Sequence, residues 1–61
     1  MERLKQLRHL RRMTQVEVSR AIGCPRPLYA LMEQGKLTPG EKELEELARL
    51  YNVSVQYLQR M

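Results

Sequence analysis

The sequence predicts an all-α fold, a compact bundle of five short helices, and three observations carry that expectation. Two helix-starting signals, Thr14-x-x-Glu17 and Thr38-Pro39-Gly40-Glu41, each precede apolar residues at helical spacing. Every Gly and Pro falls at a boundary between such stripes. Alternating β-branched runs, which would mark strands, are absent. The 61 residues, 43% hydrophobic and 30% charged, suit one small folded domain spanning residues 1–61 with a single modest core.

The elements follow in order. A first helix is expected over residues 2–12, with Leu4 and Leu7 facing the core and a basic outer face. In Thr14-x-x-Glu17 the Thr hydroxyl can accept from the amide three residues on, while the Glu reaches back. That box opens a second helix with Val18, Ala21 and Ile22 as its core stripe, ended by Gly23 in a left-handed conformation. A third helix begins at Pro27, because each proline pushes the preceding residue away from the α region, and Gly35 stops it after Gln34. Arg26 is then expected in an extended capping conformation. Pro39 takes the first position of a fourth helix, where its missing N–H is harmless. Leu44, Leu47, Ala48 and Tyr51 form its buried face, and four glutamates in its first two turns suit the helix dipole. Asn52 ends it, and Ser54 caps a last helix carrying Val55, Leu58 and Met61.

Charge narrows the classes of partner. The net charge is +4, but residues 1–36 carry eight Lys and Arg against three Glu, while residues 37–61 carry three against four. All the positive excess therefore lies in the first part, which favours a polyanionic partner. No apolar run approaches the ~20 residues of a membrane span, and the first residues lack the apolar stretch of a secretion signal. One Cys precludes an internal disulfide and fits a reducing cytoplasm. With no Asp, no nucleophile–His pairing and no Gly-rich phosphate loop, an enzyme is not expected, nor is a cofactor, metal or small-molecule ligand. His9 and Cys24 are read as an exposed side chain and an inert buried thiol, and Met13 and Met32 as core filler.

Residues 14–35 read as two short helices broken at Gly23, the spacing of a helix-turn-helix. The chain resembles the phage repressor/Cro-type helix-turn-helix family, also called the XRE family, whose fold is lambda-repressor-like. The residues that carry the likeness are Leu4-x-x-Leu7-Arg8, Thr14-Gln15, Glu17-Val18, Ile22-Gly23, Glu33-x-Gly35-Lys36, Pro39, Leu44-x-x-Leu47-Ala48 and Val53-Ser54. The likeness covers nearly the whole chain, from about Leu4 to Leu58, and the register as a whole is specific where each pair alone is not.

The resemblance implies sequence-specific binding of double-stranded DNA and transcription regulation, with repression favoured over activation. It implies that Gln15 and Lys36 meet phosphates, that Arg8 and Glu33 form a buried ion pair, and that the third helix faces the bases with Pro25, Arg26, Pro27, Ala30 and Leu31. Arg12, at the end of the first helix, is a further phosphate candidate. Those base-facing positions depart from the family's usual Ser, Thr, Gln, Arg or Asn. Arg26 can take guanine O6 and N7, and the apolar residues can pack on thymine methyls. The rival reading keeps the motif as a scaffold for binding protein through an apolar patch of Pro27, Leu28, Ala30 and Leu31.

Val55, Tyr57, Leu58 and Met61 on the last helix are the candidates for pairing two copies. Such a homodimer would set two recognition helices ~34 Å apart and call for a palindromic operator.

Overall fold

The computed structural model describes residues 2–59 and places five helices among them: α1 (Glu2–Leu10), α2 (Gln15–Ala21), α3 (Arg26–Glu33), α4 (Glu41–Tyr51) and α5 (Val55–Gln59). No strand occurs among the described residues. Met1, Arg60 and Met61 lie outside them, so the pairing expected of Met61 does too.

One core serves all five helices. Its fully enclosed side chains are Leu4 from α1, Val18 from α2, Tyr29 from α3, Leu47 and Tyr51 from α4, and Leu58 from α5. Each helix thus contributes an anchor, and none could bury its apolar face alone. Leu58 is 1% exposed. That corrects its place among the dimer candidates, because a side chain sealing the monomer core has no surface to offer a second copy.

α2 opens as expected. The Thr14 hydroxyl accepts from the Glu17 amide at 3.1 Å, and the Glu17 carboxylate accepts from the Thr14 amide at 2.8 Å. Its inward stripe differs by one position. Val18, Ser19 and Ile22 are buried while Ala21 is exposed. The Ser19 hydroxyl donates to the Val16 carbonyl at 2.8 Å, so burying it strands no polar group.

Helix ends follow one pattern. In α1, α2 and α3 the chain passes into a left-handed residue, and an amide just beyond bonds a carbonyl five positions back: Met13 to Arg8, Cys24 to Ser19, Lys36 to Leu31, at 3.1, 2.9 and 2.9 Å. Gly23 and Gly35 hold that conformation with φ of 68° and 78°. After α1 it falls to Arg12, with φ 55°, so α1 stops at Leu10 rather than running to residue 12. α4 ends the same way at Asn52, φ 57°, where Val53 N–H reaches the Ala48 carbonyl at 2.9 Å.

Two helix starts are displaced. Pro25, not Arg26, is the extended cap of α3, and Arg26 and Pro27 are its first helical residues. Prolines are tolerated there because the first amides of a helix lack intrahelical partners. The Leu28 and Tyr29 amides both close onto the Pro25 carbonyl, at 3.0 and 3.1 Å, which carries Arg26 into the helix despite the proline after it. α4 begins at Glu41 behind an extended Gly40, so Pro39 precedes the helix and is buried. Glu43 folds its carboxylate over Gly40, where a Cβ would stand 2.6 Å from Oε1, and the cap has no side-chain bond. α5 starts as read, with the Tyr57 amide donating to Ser54 Oγ at 3.0 Å.

Candidate nucleic-acid interface

The joint between α1, α2 and α3 is built around one carboxylate. Glu33, in the last turn of α3, is buried with its side chain 4% exposed. Arg8 of α1 donates Nε to its Oε2 at 2.6 Å and Nη2 to its Oε1 at 3.2 Å, a two-pronged contact. Arg8 also donates to the Met13 carbonyl at 3.0 Å, tying the α1–α2 connection to the same point. The ion pair expected between Arg8 and Glu33 is thus in place.

Two further donors complete the carboxylate's shell. Gln15, the first residue of α2, donates Nε2 to Glu33 Oε1 at 3.1 Å. Tyr29, one turn earlier on α3, hydrogen-bonds to Glu33 as well, and its hydroxyl stands 3.0 Å from that of Tyr51. Either hydroxyl of that pair can be the donor. Burial pushes the Glu33 carboxyl up, yet the bonds from Arg8, Tyr29 and Gln15 outweigh it and hold the group below its ordinary value. Burial likewise drives the Tyr29 hydroxyl far above the ordinary range, with Tyr51 and Glu33 adding to it.

The outer face of this joint is the first turn of α3. Pro25, Arg26 and Pro27 are exposed, and Leu28 is 42% exposed. Ala30 and Leu31 are only half-exposed, which leaves the apolar patch smaller than the sequence suggests. Arg26 donates Nη1 to Gln15 Oε1 at 3.3 Å. Gln15 therefore has both ends of its amide engaged within the domain. Lys36, just past α3, and Arg12, in the turn after α1, are exposed. An open polar groove lined by Glu2, Lys5, Arg8, Gln15, Glu33 and Gln34 runs alongside the ion pair.

Other contacts were not legible in the residues. Arg11 donates Nη2 to the Tyr51 carbonyl, joining α1 to the end of α4. Arg3 donates Nη1 to the Tyr57 carbonyl at 2.6 Å and lies 4.4 Å from that ring's centre. The guanidinium thus covers part of a pairing candidate, whose side chain keeps 44% exposure. Val55 is half-buried against the core. No sequence signal marks these pairs, because each links positions 40 or more apart. Burial pushes the Cys24 thiol up, the Glu43 charge adding to it, as suits an unreactive cysteine.

Among the described residues no helix is long and apolar enough to cross a membrane. A family model described as a helix-turn-helix domain matches residues 2–61. No curated protein and no solved structure matches the chain.

Proposed function

The chain belongs to the helix-turn-helix domain family, and from that premise we propose that it binds double-stranded DNA in a sequence-specific way and regulates transcription, with α3 laid in the major groove. The observation that carries this reading is the exposed first turn of α3. It presents Arg26 on the outside of a helix whose inner face is fixed by the Arg8–Glu33 pair. A planar guanidinium on a rigidly seated helix is suited to the paired acceptors of guanine. Pro27, Ala30 and Leu31 add apolar area for thymine methyls, and Pro25 shapes the entry.

Lys36 and Arg12 are assigned to phosphates, which position the domain without reading sequence. Gln15 has the least direct share in phosphate binding, since its side chain is already engaged at both ends. A small domain seated on an operator blocks other proteins by occupancy alone, which favours repression over activation. Tyr57, 44% exposed on α5 beside the half-buried Val55, leaves surface for a homodimer on a palindromic site. A single Cys, which leaves no internal disulfide, agrees with a reducing cytoplasm.

A second reading has its own observation: Leu28 at 42% exposure between exposed Pro27 and half-exposed Ala30 and Leu31 could seat a protein partner. Salt separates the two. Titrating the domain into labelled duplex of random sequence should show affinity falling steeply as salt rises, with log–log slope of about −0.9 per phosphate engaged. Absence of salt-sensitive binding to any duplex at low ionic strength would overturn the DNA reading and leave the protein-binding one.

A further inference from the structure

Resting on the duplex-binding reading above, we infer that the outer face of α3 recognises the C5 methyl group of a pyrimidine whatever its pairing edge. On such a face 5-methylcytosine replaces thymine, and methylating a cytosine at that place in the duplex raises affinity.

Helical spacing defines the face. Arg26, Pro27, Ala30 and Leu31 stand at i, i+1, i+4 and i+5 of α3, across the helix from the buried Tyr29, Met32 and Glu33. Arg26 and Pro27 are exposed, and Ala30 and Leu31 are half-exposed. Apart from Arg26, these side chains are hydrocarbon. They make no hydrogen bond to a base, but they gain by covering an apolar group. In the major groove thymine shows the O4 acceptor and a C5 methyl, whereas cytosine shows the N4 amino donor and no methyl. Methylation at C5 gives cytosine that methyl and leaves its amino group in place. The T·A and 5-methylcytosine·G pairs then differ only in polar edges, which hydrocarbon does not sense.

The polar groups nearby are committed elsewhere. Arg26 only donates, which matches it to guanine O6 and N7. Gln15 has its amide engaged by Glu33 and Arg26. Gln34 follows the last turn of α3 and lines the groove beside Lys5 and Arg8. Pro25 and Pro27 bring no N–H, and the Leu28 and Tyr29 amides close onto the Pro25 carbonyl at 3.0 and 3.1 Å. Little backbone is left in the first turn to sense thymine O4. The charge around the patch fits a duplex: Arg26, Lys36 and Arg12 are exposed, while the carboxylate of α3, Glu33, is buried in its pair with Arg8.

The experiment begins with a selection from random duplex. The selected duplex is then remade with each thymine in turn as uracil, as 5-methylcytosine opposite guanine, or as cytosine opposite guanine. Each cytosine is likewise methylated in turn, and affinities are compared at one salt concentration. At the position under α3, uracil should bind roughly three- to fivefold more weakly than thymine, the worth of one covered methyl. There 5-methylcytosine should match thymine to within about twofold, and cytosine should be as weak as uracil. Where the selected base is cytosine, methylation should strengthen binding by the same factor. Leu31→Ala should bring the thymine-to-uracil ratio toward one without changing the salt slope, since no phosphate contact is lost. Should that variant fail to fold, Pro27→Ala is expected to lower the ratio in the same way. Indifference to the methyl at every pyrimidine would overturn the inference and leave the duplex-binding reading standing. So would 5-methylcytosine as weak as cytosine, which would mean that the polar edge is read. A methyl effect untouched by Leu31→Ala and Pro27→Ala would place it on another face and overturn the inference too. If the protein binds no duplex at all, the functional reading itself falls, and this inference with it.

Discussion

The two faces of α3 divide the labour of the domain. Its inner face, Tyr29, Met32 and Glu33, is sealed to 7% exposure or less, and two of these three side chains carry polar groups with bonded partners. Its outer face, Pro25 to Leu28, is open to solvent; Arg26 bonds Gln15 there, and the Leu28 and Tyr29 amides close onto the Pro25 carbonyl. The inner face fixes where the helix lies, and the proposed function assigns contact with the duplex to the outer face. Changes to the first should therefore appear as lost stability, and changes to the second as altered binding in a folded protein.

The largest effect is expected from breaking the buried pair. Arg8→Ala leaves the Glu33 carboxylate buried without its main partner, at a cost of about 3–5 kcal/mol. In a domain of this size that approaches the whole stability, so chemical denaturation should find the variant largely unfolded. The same pair makes stability depend on acid. The Glu33 carboxyl is held below its ordinary 4.5 in the folded state. Its contribution is thus fully present above the unfolded pKa and is lost as pH falls through the lower folded value. Denaturant midpoints taken from neutral pH downward should fall more steeply for wild type than for Glu33→Gln, which cannot titrate there.

Next in size is Tyr29→Phe, which removes a hydroxyl that helps hold the Glu33 carboxyl down and that pairs with the Tyr51 hydroxyl. A loss of ~1–3 kcal/mol is expected in thermal or denaturant unfolding, since buried groups are left unpaired. Leu28→Ser, on the opposite face, should alter stability by no more than ~0.5 kcal/mol. Equal effects from the two would erase the distinction between the faces.

How much of this was legible varied with the range of the interaction. Thr14 and Glu17 are three residues apart and bond each other, so their box could be read from residue types alone. The similar box at Thr38 misled, because the pattern cannot say which residue takes the extended cap, and Gly40 took it. Ala21 belongs to the inward stripe that helical spacing predicts for α2, yet the structure buries Ser19 and exposes Ala21. The Arg8–Glu33 pair came from the family resemblance, not from spacing across 25 positions. The Gln15–Arg26 bond was illegible, since it exists only once Glu33 has fixed the amide between them.

A smaller effect lies between the two faces. Lys36→Ala should weaken binding to all duplexes alike and reduce the salt slope by about 0.9, with unfolding unchanged. The smallest belongs to Arg12, an L-residue in the left-handed region. Arg12→Gly removes a steric penalty of ~1 kcal/mol, partly offset by the freedom glycine gains on unfolding. A net rise in stability below ~1 kcal/mol is expected from denaturation, together with weaker DNA binding from the lost charge.

The central claim, that α3 meets the duplex with its outer face, is tested most directly by following backbone amide resonances while duplex DNA is titrated in. The expected result is that the largest changes gather at Arg26, Leu28 and Lys36, while the acidic helix α4 stays still. Changes centred on α4 or α5, with the first turn of α3 unmoved, would contradict it.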